Sequence, residues 1–115
     1  MEQVGAGWQW HDSPLPHYRF APAEDARVAV VFTSGAGKDR PNLGFGSDGR
    51  AAVDADRHRL AAALGATADR LVFMEQVHSC GVAVVGATQA GAGLAARETA
   101  VRGADALVTA DGSVV

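Results

Sequence analysis

The 115-residue chain contains no isoleucine, a single lysine (Lys38) and a single cysteine (Cys80), and aromatic side chains make up only 6% of it. One cysteine excludes an internal disulfide and is compatible with a reducing compartment. Ten basic residues, nearly all scattered arginines, stand against thirteen acidic ones for a net charge of -3. That excludes a polybasic patch, so neither nucleic acid nor a membrane surface is expected as a partner. No basic segment followed by an apolar stretch opens the chain, and no apolar run approaches the ~20 residues that span a bilayer. A cytoplasmic protein is the expectation. The missing isoleucine bears on the core: the hydrophobic fraction is 48%, yet 24 of those residues are alanine, and 14 glycines add no side chain. With a mean hydropathy of +0.03, the composition is that of one small globular domain with a thin core.

Residues 1–27 mix Trp8, Trp10, Tyr18 and Phe20 with Pro14, Pro16 and Pro22, which predicts an irregular segment whose aromatics pack onto the body of the domain. Val28 to Phe32 is a short apolar run predicted to be a buried strand entering the glycine loop from Ser34 to Gly37. Arg50 to Leu64 is the clearest helix, with Asp48 as N-cap, Gly65 as stop, and Val53, Leu60 and Leu64 on one face. Asp54, Arg50 and Arg57 are left to face outward or toward a site. Leu71 to His78 and Val82 to Val85 read as neighbouring strands broken at Ser79-Cys80-Gly81, the first carrying Val72, Met74, Gln76 and His78 on one face. A long loop with a helical turn near Ala95 to Ala100 leads to a strand at Asp105 to Thr109. Asp111-Gly112 predicts a type I′ hairpin. Its returning arm, Ser113 to Val115, is too short to pair along the first, so the end of the chain reads as cut, with an open edge near Val114-Val115 that favours self-association.

The sharpest chemical candidate is His78, which a strand end beside a glycine break would present to a metal. Cys80 two residues on could add a thiolate, although a structural, hydrogen-bonded histidine and a buried inert thiol are the competing readings. Lys38 follows glycines after a strand, but a triphosphate-binding loop is excluded: its first glycine would fall at Phe32, and Asp39 stands where Ser or Thr is needed.

Several features then line up in order: Phe32-Thr33, Asn42-Leu43-Gly44, Asp48 and a helix carrying Asp56-Arg57, Gln76-Val77-His78, and Ala104 to Thr109. Over residues 28–115 this resembles the N-terminal half of the YfiH-type family, also called laccase-domain or polyphenol oxidase proteins. The resemblance implies an α+β fold, a mixed β-sheet with flanking helices, here incomplete at the C-terminus. It also implies a zinc-dependent purine nucleoside phosphorylase acting on adenosine, inosine or methylthioadenosine, with adenosine deaminase activity. In the family a histidine of Q-V-H, a cysteine of A-D-C and a histidine of H-A-G-W-R-G hold the zinc; only the first has a counterpart, His78. Asn42, Arg57 and Gln76 are the expected positions on the side of the purine nucleoside and phosphate. The loop before Asn42 is compressed to Ser34 through Pro41, and the family's Asn-Arg stands here as Asp56-Arg57. A chain with one ligand of three is expected to be inactive alone, and the alternative is a non-catalytic binding or interaction module.

Overall fold

The computed structural model describes residues 3–35, 39–45 and 50–115, with Gln3, Val4 and Arg50 described by their backbone alone. The cap expected at Asp48 and most of the glycine loop around Lys38 lie outside those residues. Two compact units form, Met1–Gly65 and Ala66–Val115.

In the first unit, β1 (Gln3–Val4), β2 (Trp8–His11), β3 (His17–Phe20) and β4 (Val31–Thr33) make an antiparallel sheet in that order. Three of its strands lie in the segment expected to be irregular. The reason is an alternation that the prolines mask: Trp8 and Trp10, then Tyr18 and Phe20, take every second position, so one face of the sheet is aromatic. In register, Trp8 stands opposite Phe20 and Trp10 opposite Tyr18, with ring centroids 5.0 and 4.9 Å apart. Phe32 of β4 adds an edge-on contact to Trp8 at 6.4 Å. Each such pair adds roughly 0.5–1.5 kcal/mol beyond the area it buries. The prolines fall outside the strands, in the β2–β3 connection and in the 3-10 helix Ala21–Ala26.

The expected buried strand at 28–32 is instead the three-residue β4 at the end of the sheet, with Phe32 70% exposed. Among the described residues its apolar run has one neighbouring strand, β3.

The helix forms where the spacing places it, as α1 (Arg50–Ala63), and stops at Gly65, whose φ of 70° is the left-handed geometry that a residue without Cβ adopts at least cost. Its buried stripe is Val53, Arg57 and Ala61, an i, i+4, i+8 row, while Leu60 and Leu64 are half-buried. Arg57 therefore does not face outward: it is 2% exposed. Arg19 of β3 donates to the Ala63 carbonyl at 2.6 Å, and Arg59 Nε donates to the Pro14 carbonyl at 2.7 Å. A cation at the last turn of a helix also meets the negative end of its dipole.

The second unit is built from two separate parallel pairs. β5 (Met74–Glu75) and β6 (Val82–Val84) do not pair with each other; β5 joins β7 (Val101–Arg102), and β6 joins β8 (Ala106–Val108). The strand expected over Leu71 to His78 is thus two residues long, and Gln76 to His78 leave it for a loop. Ala68, Leu71, Val85, Ala100, Ala104 and Val114 are buried here. A 3-10 turn, Arg97–Thr99, falls inside the expected helical stretch.

No type I′ hairpin forms at Asp111-Gly112, since Gly112 lacks positive φ. Asp111 takes the first position of the turn: its carbonyl accepts from Val114 N–H at 3.3 Å and its carboxylate from Ser113 N–H at 2.9 Å. The chain then crosses to Arg70–Val72, where Val115 N–H meets the Arg70 carbonyl at 2.8 Å and the Val115 carbonyl meets Val72 N–H at 3.2 Å. Val114 is buried. The open edge expected at Val114-Val115 is closed by these contacts.

Candidate functional site

The loop after β5 is organised by a residue 26 to 28 positions downstream. The Asp105 carboxylate accepts from the N–H groups of Val77 at 2.9 Å, His78 at 2.7 Å and Ser79 at 2.6 Å, and from the Ser79 hydroxyl at 2.8 Å. Four donors on one anion hold His78 at a φ of 58°, a left-handed conformation that a residue with a Cβ adopts only at some cost. Bonds to an ionised acceptor are the stronger kind. They also hold the Asp105 carboxyl below its ordinary range, Ser79 N–H contributing most, then the Ser79 hydroxyl and the amides of His78 and Val77, against a desolvation that raises it.

Gly81 completes the attachment. Its carbonyl accepts from Asp105 N–H at 2.9 Å, and a Cβ there would stand 2.6 Å from the Gly103 carbonyl oxygen. The close approach needs glycine. Glu75, the last residue of β5, receives two bonds from Arg97, at 3.1 and 2.9 Å. The loop is thereby fixed at both ends while Gln76, His78 and Cys80 are exposed. Cys80 is not the buried thiol expected of a lone cysteine.

Asn42 and Arg57 belong to the first unit, Gln76 and His78 to the second. Within the first, the Asn42-Leu43-Gly44 motif and Asp56-Arg57 come together: Asn42 N–H donates to Asp56 at 2.8 Å, and Arg57 Nε donates to the Leu43 carbonyl at 3.0 Å. Asn42 Oδ1 accepts from Gly44 N–H at 2.9 Å, and the Arg57 guanidinium lies 4.8 Å from the centroid of the Phe45 ring. Asp56 thus has a defined task, accepting a backbone N–H.

Among the described residues no three of His, Cys, Asp and Glu gather to hold a metal. Asp105 is no spare ligand, because both its oxygens are taken by donors. What this loop offers is one exposed imidazole on a fixed backbone, which fits one ligand's share of a zinc site that needs three or more. Asp105 itself was legible as the start of a strand and as part of the Ala104 to Thr109 motif, with no role attached. Its partners, 26 to 28 residues away, are set by tertiary structure.

The fold and the loop define a laccase-domain protein: residues 32–115 match the family described as multi-copper polyphenol oxidoreductase laccase, and the chain belongs to that family. Among solved structures it is similar to YlmD from Geobacillus stearothermophilus, at 28% identity and a TM-score of 0.75 over 98% of this chain and 41% of that one. It also shares its fold with the hypothetical protein YfiH of Bacillus licheniformis, at 22% identity and a TM-score of 0.77 over 90% of this chain and 40% of the other. The expected YfiH-type α+β fold is therefore the observed one. The chain spans about two-fifths of the length of these two proteins. No curated protein matches. The family's description names a metal, copper. No helix among the described residues is long and apolar enough to cross a membrane.

Proposed function

We propose that this chain supplies His78 as one ligand of a zinc-dependent purine nucleoside phosphorylase site of the YfiH type, the other ligands coming from outside these 115 residues. The observation that carries this reading is the Asp105 clasp, which spends four hydrogen bonds on fixing the backbone of an exposed histidine in an uncommon conformation. Such a feature is expected where a side chain must be presented in one direction. A zinc ion bound there would supply Lewis acidity toward an oxygen of a nucleoside, of phosphate or of water. The chain's own part is to present the His78 imidazole, to offer the exposed Gln76 amide beside it, and to hold the Asn42 loop on α1 through Asp56 and Arg57. Adenosine, inosine and methylthioadenosine are the proposed nucleosides, phosphate or water the second reactant, and the cytoplasm the proposed compartment.

The test is a chimera in which this chain replaces the matching segment of YlmD. Near-stoichiometric zinc and phosphate-dependent release of a purine base are expected, both lost on His78→Ala with the far-ultraviolet circular dichroism unchanged. Zinc retained in the folded His78→Ala chimera overturns the ligand assignment. Zinc without phosphorolysis or deamination supports the non-catalytic module instead. The isolated chain is expected to hold no stoichiometric zinc, and His78-dependent phosphorolysis by it alone would show the site to be complete within it.

A further inference from the structure

We infer that Asp105 couples metal binding at His78 to the pairing of β8 with β6: the histidine is presented only while β8 is docked, and a metal ion held there protects that pair in return. The inference rests on the zinc reading of His78 proposed above and adds how that site is controlled. Asp105 immediately precedes β8 and belongs to two sets of contacts at once. Its backbone N–H donates to the Gly81 carbonyl at 2.9 Å, and the Ala106 N–H reaches the same carbonyl at 3.3 Å. From there Val82 to Val84 run in register with Ala106 to Val108, and Val85 N–H donates to the Val108 carbonyl at 2.9 Å. The side chain of the same residue takes the N–H groups of Val77, His78 and Ser79. Among the described residues those three groups have no other acceptor.

A carboxylate outside a metal's ligand set ordinarily holds a ligand histidine by its ring N–H. Here none of the four bonds goes to the imidazole; they end on backbone N–H groups and the Ser79 hydroxyl. Asp105 therefore acts on His78 through the backbone, by holding its φ of 58°. When β8 leaves β6, Asp105 leaves with it, and no contact within the loop keeps a residue with a Cβ in that conformation. The pair is built to open. It has two strands of three residues, and Val82, Val84 and Val108 are half or more exposed, which puts it at the low end of local stability. Coupling between binding and docking is reciprocal: the factor by which docking raises metal affinity is the factor by which the metal favours docking.

The test uses the YlmD chimera and zinc itself. Affinity is read by competition with a chelator, and pairing by hydrogen exchange at the Val85 N–H, with amides in the middle of α1 as the reference. Zinc at about ten times its dissociation constant should slow exchange at Val85 by about tenfold and leave α1 unchanged. Asp105→Asn should weaken zinc binding about 10- to 100-fold, and Val85 should gain no protection even when the variant is saturated with zinc. Ser79→Ala removes the hydroxyl bond and leaves the three amides on Asp105; it should move affinity and protection in the same directions by less, and it decides the case should Asp105→Asn not fold. Exchange at Val85 that ignores zinc overturns the coupling, as does protection or zinc affinity left unchanged in the folded variants, provided that His78→Ala has lost zinc in the same chimera. Zinc kept by folded His78→Ala overturns instead the ligand reading on which the coupling rests.

Discussion

At the scale of single residues, Asp105 decides more than any other side chain in the second unit. Its carboxylate gathers three consecutive backbone N–H groups and a hydroxyl around His78. Asp105→Asn keeps the shape but turns one acceptor into a donor that would face the Ser79 N–H. The expected outcome is amide exchange at Val77, His78 and Ser79 faster by on the order of tenfold, with α1 unaffected, read by hydrogen exchange. The pH dependence has a definite sign. Asp105 is held below its ordinary value, so the clasp is fully present above the usual carboxylate range and is lost only as pH falls through the depressed value. Exchange protection of these three amides should therefore persist to lower pH than an unperturbed aspartate would allow. Arg57 teaches the complementary lesson. Spacing alone left it free to point anywhere, and its burial is possible because Leu43 and Phe45 meet the charge that burial would otherwise strand.

At the scale of elements, the antiparallel sheet of the first unit carries a pH-sensitive histidine, His11. His11 of β2 and His17 of β3 are directly opposite, their rings stacked 4.9 Å apart at 10°. His17 is buried and bonds the Leu15 carbonyl through Nδ1 at 2.8 Å. His11 Nε2 is buried and, among the described residues, has no hydrogen-bond partner. Burial first, then the charges of His17 and Arg19, lower the His11 pKa from its ordinary 6.5, while Glu24 opposes them. With the folded value below the unfolded one, the unfolded chain binds the proton more readily, so stability falls as pH drops below about 6.5. Urea midpoints should decline from pH 7 to pH 5, and His11→Phe, which keeps a flat ring against His17, should flatten that decline; an unchanged slope would rule His11 out as its source. This sheet was also the least legible element. Its alternation of aromatic and polar residues was present at Trp8 to His11 and His17 to Phe20, but four-residue strands set among prolines give too short a run for a period of two to stand out. Helix α1 was legible almost to the residue, because a fourteen-residue stretch, ten of them Ala, Arg or Leu, and a terminal glycine are a long, local signal.

At the scale of the whole molecule, the thin core read from composition is the core observed. Of the ten buried apolar residues among those described, five are alanine, and the larger ones are Leu15, Val53, Leu71, Val85 and Val114. Val82, Val84 and Val108 remain half or more exposed on a parallel pair, although parallel sheets are ordinarily covered on both faces. The isolated chain should therefore bind an apolar dye such as anilinonaphthalene sulfonate while folded and unfold in urea with a slope near the low end for small proteins, about 1 kcal/mol per M. A steep transition without dye binding would contradict this. The sequence by itself determined what depends on neighbours along the chain: the limits of α1, the strand character of β6 and β8, the shortage of bulky core residues, and His78 at the end of a family motif. Tertiary structure alone decided which strands pair, that Val115 returns to Arg70 and Val72 rather than to β8, that Arg57 is buried, and that Asp105 holds His78. Each of these is a contact between groups well separated along the chain, and periodicity and capping, which act over a turn or a strand, carry no information about such partners.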